Sequence, residues 1–219
     1  YTNTYMHTEM FKNYINDAVM DNIVEIAIST RPDCISDDKL EFLHKIKELH
    51  NVNITIELGL QTVNYHTLKA INRGHTLAEF IDAVLRIKRY NFEICAHVII
   101  NLPGDTILDT VETAKILSVL KINQVKIHSL YIMDNTEMGR AYKNNEITLI
   151  SKDEYVERVM VFLEHLDKNI VVQRLAGRAP KENSLFVNWG MSWWKIKDEL
   201  MYKMESENRY QGSKNKFNK

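Results

Sequence analysis

Apolar and polar residues alternate along four stretches of this chain, as they do in β-strands, and patterns typical of helices lie between them. The predicted strands are residues 23–29, 53–60, 93–100 and 124–131. The predicted helices are residues 6–20, 36–50, a segment that opens at Thr76, a segment from Asp105 to about Lys121, and residues 151 to about 168. This order of elements predicts repeated βα units and a parallel sheet, hence an α/β fold.

Polar residues at the predicted helix starts support these boundaries. Ser36 has the position of an N-cap, and Asp105 can cap the helix that follows "NLPGD". The segments "TLAE" (76–79) and "SKDE" (151–154) have the spacing of capping boxes, in which each end residue satisfies a backbone N–H near the other. These signals mark where the predicted helices begin.

The first predicted helix has an apolar stripe along one side. Met10, Tyr14 and Ala18 lie four residues apart, so they share one face of a helix. We expect this face to cover the helix side of the sheet.

Each predicted strand is apolar on one face and polar on the other, and this decides between two architectures. In the second strand, Ile54, Ile56, Leu58 and Leu60 alternate with Thr55, Glu57, Gly59 and Gln61. The polar faces of the other strands carry Ser29, His97 with Asn101, and Lys126 with His128. A doubly wound sheet buries both faces under helices, which is costly for unpaired ionisable groups. A partial (β/α) barrel-like sheet avoids that cost, because its inner face lines a cavity.

Composition adds limits to this prediction. The 219 residues carry a net charge of -1, with 45% hydrophobic and 26% charged residues, which is ordinary for a globular protein. No apolar run is long enough to cross a bilayer, so we expect a cytoplasmic protein without a membrane partner. We expect residues 1–150 to form the barrel part and residues 151–219 a C-terminal helical extension that ends in a frayed polar tail.

Several side chains at the strand ends are candidates for a site, and each has a plainer alternative. Gln61 lies at a strand end on the polar face, where its amide can bind a ligand or cap backbone groups. Arg73 can pair with a carboxylate or lie free on the surface. His97 can face a ligand or be a hydrogen-bonded core histidine. The two cysteines, Cys34 and Cys95, form no metal-binding or disulfide pattern, and we expect both to be free and buried.

Taken together, the strand ends resemble those of a known group of enzymes. The segments "ISTRPDCI", "IELGLQTVNYHTLKAINRGH", "CAHVIINLPGDT" and "VKIHSLYIMDNTEM" are similar, in order and spacing, to the later part of radical S-adenosylmethionine (SAM) proteins. The bacterial family related to the catalytic subunit of Elongator is the most similar group, and oxygen-independent coproporphyrinogen oxidase is a more distant one. The resemblance also covers "YVERVMVFLEHL" and "VVQRLAG", so it extends over most of the chain.

The resemblance implies roles for individual residues. Gln61 matches the residue that contacts the ribose of SAM, and Arg73 matches the residue that meets its methionine carboxylate. His97, Ser29 and Asn101 occupy cofactor-binding positions where relatives often carry an aspartate, a glutamate and a glycine. The candidate substrate residues are His128, Lys126 and Glu57, which share the polar face.

The resemblance also implies cofactors and a function. Relatives bind a [4Fe–4S] cluster through a CxxxCxxC motif after their first strand, and the chain contains no such motif. We therefore expect a segment with two further βα units before "YTNTY", which would supply the cluster ligands. The implied function is a radical SAM enzyme that generates a 5′-deoxyadenosyl radical on an unknown substrate, for instance a tRNA or a small molecule.

Two other functions stay open at this point. One is a non-catalytic α/β scaffold that binds RNA or a protein partner, and the near-neutral charge disfavours it. The other is a metal-dependent barrel hydrolase, for which the strand ends carry too few ligands. In radical SAM relatives another strand pairs with the segment that residues 23–29 resemble, and this chain lacks that strand, so we expect residues 23–29 to form an unpaired edge that favours self-association of the chain.

The cysteine content gives a first testable prediction. Because three thiolates are needed to hold a [4Fe–4S] cluster and only Cys34 and Cys95 are present, this chain should take up no such cluster. Anaerobic reconstitution with iron and sulfide should leave the protein without the absorbance of a cluster. A stoichiometric [4Fe–4S] centre would contradict the placement of the ligands in another segment.

Overall fold

A five-stranded parallel sheet carries the fold of this protein, for which a computed structural model describes residues 3–178 and 182–217. The strands are β1 (Glu25–Thr30), β2 (Asn53–Gln61), β3 (Glu93–Ile99), β4 (Gln124–His128), β5 (Tyr131–Met133), β6 (Val171–Arg174) and β7 (Ser184–Val187). The order in the sheet is β1-β2-β3-β4-β6, and each neighbouring pair is parallel. The predicted α/β class with a parallel, barrel-like sheet is confirmed.

Eight α-helices connect and cover the strands in the described part of the chain. They are α1 (Thr8–Ala18), α2 (Asp37–His50), α3 (Tyr65–Ala70), α4 (Leu77–Lys88), α5 (Ile107–Val119), α6 (Glu137–Lys143), α7 (Lys152–His165) and α8 (Trp193–Ser206). Among the described residues, none of these helices has both the length and the apolar character that a membrane crossing requires.

Of the predicted caps at the starts of α4, α7 and α5, one is confirmed in full, one in part, and one is wrong. Thr76 and Glu79 form the predicted capping box at the start of α4, and the Ser151 side chain accepts from the backbone N–H of Glu154 at the start of α7. The cap of α5 is Thr106, which forms a capping box with Asp109, so the prediction of Asp105 was wrong. Thr106 is favoured as the N-cap because it lies three residues before Asp109, so that both side chains satisfy backbone N–H groups.

One face of the sheet packs against helices and forms the core. Ile28, Ile56, Leu58, Val98 and Ile127 lie on this face and are at most 2% exposed. The helices contribute Leu40, Leu43, Phe80, Val84, Leu117, Val156 and Phe162 to the same apolar cluster. Burial of this alternating set fixes the register of each strand, because a slip by one residue would turn the apolar set away from the core.

The buried side of α1 is not the predicted one. Met10 is 53% exposed and Tyr14 is 59% exposed, whereas Phe11 and Ile15 are buried. The Phe11 ring packs edge-to-face against Phe42 with a centroid distance of 6.5 Å, so α1 docks on α2 through the neighbouring stripe. Both stripes have a helical period, and the pattern alone did not separate them.

The chain after His128 differs from the predicted continuous strand of residues 124–131. β4 ends at His128, and β5 then pairs antiparallel with β7 in a separate ribbon. β6 lies beyond residue 150 and pairs with β4, so the main sheet continues into the segment that the sequence assigned to a helical extension. The division of the chain at residue 150 into a barrel part and a C-terminal extension stays a prediction.

The end of the described chain is held in place rather than frayed, which corrects the expectation for the tail. The backbone N–H of Gly212 donates to Leu163 O at 3.0 Å, and that of Lys214 donates to Glu164 O at 2.8 Å. The buried carboxylate of Glu164 also pairs with Arg209 at 2.9 Å and with the Lys214 ammonium at 2.8 Å. We call this set of contacts the tail clamp.

β1 is the outermost strand on one side of the sheet in the described chain. Its apolar face consists of Ile26 and Ile28, whereas Val24, which precedes it, is 76% exposed. Such an edge offers backbone N–H and C=O groups to other strands, and self-association through it stays a prediction.

The two stripes of α1 provide a matched test of this packing. Phe11→Ala should lower the free energy of unfolding by about 3–5 kcal/mol, because it empties a fully buried ring position. Tyr14→Ala on the same helix should change it by less than about 0.5 kcal/mol, because its ring is solvated. Urea denaturation of both variants measures the difference. Equal losses would show that α1 does not dock through Phe11.

Candidate active site

The polar face of the sheet, opposite the helices, gathers ionisable side chains from β1 to β6. The parallel register aligns them in two rows across the strands. The first row consists of Ser29, Glu57, Cys95 and Gln124, and the second consists of Gly59, His97, Lys126 and Arg174. Because neighbouring strands are about 4.8 Å apart, side chains in one row lie within reach of one another.

Glu57 is the centre of this face. Its carboxylate accepts hydrogen bonds from Ser29 Oγ at 2.7 Å and from the Lys126 ammonium, and its Oε2 lies 3.2 Å from His97 Nε2. Burial alone would raise the pKa of Glu57, but the bonds from Lys126 and Ser29 outweigh it and hold the pKa below its usual range. Glu57 is therefore a carboxylate at neutral pH and is balanced by Lys126.

Two histidines extend this network along β3 and β4. His97 Nδ1 lies 3.2 Å from His128 Nε2, and the rings stack with a centroid distance of 5.1 Å. Burial lowers the pKa of both rings, that of His128 to about 4, and the cations Lys126 and Arg174 add to the effect. Both imidazoles are neutral at pH 7, so each can donate through one nitrogen and accept through the other.

Cys95 completes the one potential metal-binding cluster found among residues 3–178 and 182–217. Ligand atoms of Glu57, Cys95 and His97 all lie within 4.8 Å of one another. Burial raises the pKa of the Cys95 thiol to about 12, and the Lys126 ammonium already neutralises Glu57. A metal would need a thiolate and the displacement of Lys126. We therefore interpret the cluster as a charge network. That these residues bind no metal stays a prediction.

A second group of residues lies at the carboxyl end of β2, where a β-bulge interrupts the ladder between Gly59 and Gln61. Gln61 adopts a positive φ of 69°. A Cβ atom on Gly59 would lie 2.5 Å from both Arg73 Nη2 and Gln61 Nε2. A side chain at residue 59 would therefore displace the ends of the Arg73 and Gln61 side chains, because the guanidinium and the amide cover the backbone of Gly59 on the polar face.

Arg73 is a guanidinium without a counter-ion. It donates to His75 Nε2 at 3.0 Å and to Gly59 O at 3.4 Å, and within the described ranges it forms no ion pair with a carboxylate. Burial lowers the pKa of Arg73, and the neighbouring charge of Arg31 adds to this effect. Such a site favours an anion, because a half-buried charge is stabilised most by an opposite charge.

Arg31 fixes the rim beside this site. Its side chain pairs with Asp33 and donates to Gly74 O at 3.3 Å, so it links the end of β1 to the turn that carries Arg73. Its charge is already balanced by Asp33, whereas Arg73 has no carboxylate partner among the described residues.

Asn101, just after β3, is 1% exposed and is satisfied on one side only. Its Oδ1 accepts from the backbone N–H of Leu130 at 2.6 Å and thereby ties the ends of β3 and β4 together. Its Nδ2 is buried and has no hydrogen-bond partner. A buried donor of this kind is satisfied when a ligand with an acceptor binds.

The sequence-predicted residues therefore fall into three places. Ser29, Glu57, His97, Lys126 and His128 form the charge network on the polar face, Gln61 and Arg73 lie together at the rim, and Asn101 lies at the end of β3. Sequence reasoning missed Arg174 and the hydrogen bond between Arg73 and His75. Arg174 and His75 lie in quoted segments, but only the fold shows that Arg174 lies beside Lys126 and that His75 accepts from Arg73.

Comparisons with known proteins agree with this fold. Residues 2–117 match the sequence model of the radical SAM superfamily, and residues 122–206 match that of the Radical_SAM C-terminal domain. Uncharacterized protein YtqA of Bacillus subtilis is 30% identical over 213 residues, which are 97% of this chain and 66% of YtqA. The chain thus spans about two thirds of that relative's length.

Solved structures give the same result. The archaeal Methanocaldococcus infernus Elp3 with an N-terminal deletion superimposes with a TM-score of 0.74 at 20% identity, over 93% of this chain and 46% of that one. Coproporphyrinogen III oxidase (HemN) from Escherichia coli superimposes with a TM-score of 0.58 at 18% identity, over 74% of this chain and 38% of that one. At these identities the likeness concerns the fold.

The histidine pair leads to a prediction about pH. His128 has a pKa of about 4 in the folded protein against a value of 6.5 for a free imidazole. Between these values the unfolded state binds more protons, so the free energy of unfolding should fall as the pH drops from about 6.5 to about 4. The pKa of Glu57 is lowered as well, but its protonation changes the free energy of unfolding only below the pKa of a free glutamate, 4.5. Urea denaturation across this range should show a flatter dependence in His128→Asn.

The exposed Leu49 at the end of α2 supplies the control for this measurement. Leu49→Asn removes and adds no titrating group, so it should leave the pH dependence as it is in the original protein. An unchanged slope in His128→Asn would mean that His128 titrates normally and is not buried against His97.

Proposed function

Because the chain belongs to the radical SAM superfamily, we propose that it is the SAM- and substrate-binding part of a radical SAM enzyme. The rim at the end of β2 binds SAM, and the charge network on the polar face receives the substrate. The activity is that of a protein spanning the whole length of its relatives, of which this chain corresponds to 66%.

The single observation that carries this proposal is the unpaired guanidinium of Arg73. It lies over Gly59 at the carboxyl end of a parallel strand, which is where barrels of this class bind their ligands. The methionine carboxylate of SAM supplies the negative charge that Arg73 lacks, and the planar fork of arginine suits a carboxylate.

The other residues near the strand ends fit the rest of the SAM molecule. The Gln61 amide beside Arg73 offers a donor and an acceptor for ribose hydroxyl groups. The buried Nδ2 of Asn101, at the end of β3, is a further donor without a partner. His97 lies on the same face and, being neutral, can donate or accept. Ser29 is committed to Glu57 and therefore supports the network rather than the cofactor.

The iron–sulfur cluster does not fit the residues of this chain. It needs three thiolates at one place, and the chain has two cysteines, of which Cys95 is buried in the sheet and Cys34 is half-buried outside it. The half-buried Cys34 corrects the expectation that both cysteines are buried. The proposed enzyme therefore takes its cluster from another segment, as the comparison of lengths allows.

With its cluster bound, the whole protein would supply one-electron cleavage of SAM and hydrogen abstraction from the substrate. The residues described above would orient SAM and the substrate and would neutralise charges within the site. Lys126 holds Glu57 ionised, so the floor of the site carries balanced charges. His128 remains neutral and can accept a hydrogen bond from a substrate N–H or O–H group without changing its charge. The function is tested by the release of 5′-deoxyadenosine from SAM in the anaerobically reconstituted whole protein.

Arg73 gives the sharpest test of the SAM site. In the whole protein, Arg73→Ala should weaken SAM binding by about 1.5–3 kcal/mol, the range for a lost hydrogen bond to a charged group. Arg73→Lys should lose less, because it keeps the charge but not the fork. Titration calorimetry measures both.

Arg89, exposed just after α4, provides the matched control. Arg89→Ala should bind SAM as the original protein does. If Arg73→Ala folds and binds SAM with unchanged affinity, Arg73 does not belong to the site.

A further inference from the structure

Two adjoining grooves lie beside β6 and the start of α8, outside the site described above. The first, of about 760 Å³, is lined by Val172, Gln173, Arg174, Leu175, Ala176, Arg178, Trp193 and Lys197. The second, of about 820 Å³, runs along β7 and the turn before α8 and is lined by Arg178, residues 184–192, Trp193 and Trp194. Arg178 and Trp193 line both, so the two form one track, which we call the tryptophan track.

The charge of the tryptophan track has a single sign. Its charged side chains are Arg174, Arg178 and Lys197, and within the described ranges no acidic residue lines either groove. This contrasts with the net charge of -1 for the whole chain. A concave surface of one sign concentrates ligands of the opposite sign, so the track favours an anionic ligand.

The aromatic content of the track is equally concentrated. All three tryptophans of the chain line the second groove. Trp189 supports the groove, since its Nε1 donates to Ile150 O at 2.9 Å and its ring packs on Tyr155. Trp194 is 49% exposed, and Trp193 lies under the Arg178 guanidinium, which is 5.5 Å from its ring centroid. Rings presented to solvent next to cations are the means by which proteins stack bases between phosphate contacts.

The track leads to the polar face of the sheet. Arg174, which lines the first groove, is the register partner of Lys126. Its charge also acts on both histidines of the network and lowers the pKa of each. A ligand that follows the cations from α8 along β6 therefore arrives beside Lys126 and His128.

We propose that the tryptophan track binds single-stranded nucleic acid and guides one nucleotide toward the polar face. Phosphates pair with Arg174, Arg178 and Lys197, and bases stack on Trp193 and Trp194. A duplex would keep its bases stacked inside and could not use these rings. An acidic peptide would satisfy the cations but would leave the indoles of the half-buried Trp193 and the exposed Trp194 without planar partners. This deepens the proposed function by naming its substrate class, although the binding itself requires neither SAM nor a cluster.

The test uses the 219-residue chain and a fluorescently labelled single strand of about 12 nucleotides, within the usual site size. Fluorescence anisotropy should show binding to RNA or DNA whose logarithmic affinity falls with the logarithm of salt concentration with a slope of about -2, as expected for three phosphate contacts. Trp193→Ala and Trp194→Ala should each weaken binding about fivefold to 150-fold, the loss for one base stacked on an aromatic ring. Trp194→Phe should retain most of the affinity.

Matched controls separate the track from general surface effects. Arg178→Gln should reduce the salt slope by about 0.7, whereas Arg89→Gln on the exposed end of α4 should not change it. Tyr14→Ala removes an exposed ring on α1, far in sequence from the track, and should bind like the original protein. Circular dichroism confirms that each variant is folded.

Three outcomes would overturn the proposal. These are no binding of single strands at micromolar protein, binding that folded Trp193 and Trp194 variants retain in full, and tighter binding of a poly-glutamate peptide than of the oligonucleotide. Because none of these measurements involves SAM, they can fail while the SAM site stands, and loss of SAM binding would leave them unaffected.

Discussion

The ion pair between Glu57 and Lys126 is the interaction on which the polar face depends. A carboxylate on the inner strand of a sheet is tolerated only if an opposite charge lies within hydrogen-bond distance, because its desolvation is otherwise too costly. Lys126 reaches it across β3, and Ser29 and His97 approach it from the adjoining strands. The pair lets the face stay polar without unbalanced charge, and this permits a polar, partly exposed face where a doubly wound sheet would have a second core.

How far the sequence predicted this structure depends on the range of each interaction. Period-two alternation is a local property, so the four long strands and the split between apolar and polar faces followed from it directly. β6 and β7 were missed, because four-residue strands are too short to show a period. For α1, Met10 and Phe11 begin two stripes of equal period, and only the docking on α2 decides between them. The N-cap of α5 lies one residue later than predicted, because Thr106, unlike Asp105, has an acidic partner three residues later.

For the site, the sequence predicted which side chains share a face but not which of them bind one another. The pairing of Glu57 with Lys126, the contact of His97 with His128, and the cover of Gly59 by Arg73 all depend on strand register and on a bulge. Tertiary contacts set these pairings. The sequence therefore could not show that Arg31 has a carboxylate partner while Arg73 has none among the described residues. The grooves along α8 escaped prediction for the same reason, since Arg174 and Trp193 lie in segments that meet only in the folded chain.

The tail clamp has a consequence for the order in which the molecule assembles during translation. Lys214 bonds both the backbone and the side chain of Glu164, and Arg209 bonds Glu157 as well as Glu164. α7 thus has a buried acidic group, Glu164, and an exposed one, Glu157, whose partners are synthesised roughly fifty residues later. Chains emerge from the ribosome with the N-terminal part first, and the parallel strands β1 to β4 can pair early. Until residue 214 has left the exit tunnel, Glu164 must remain hydrated, so α7 reaches its final environment only after α8 and the residues that follow it have been synthesised.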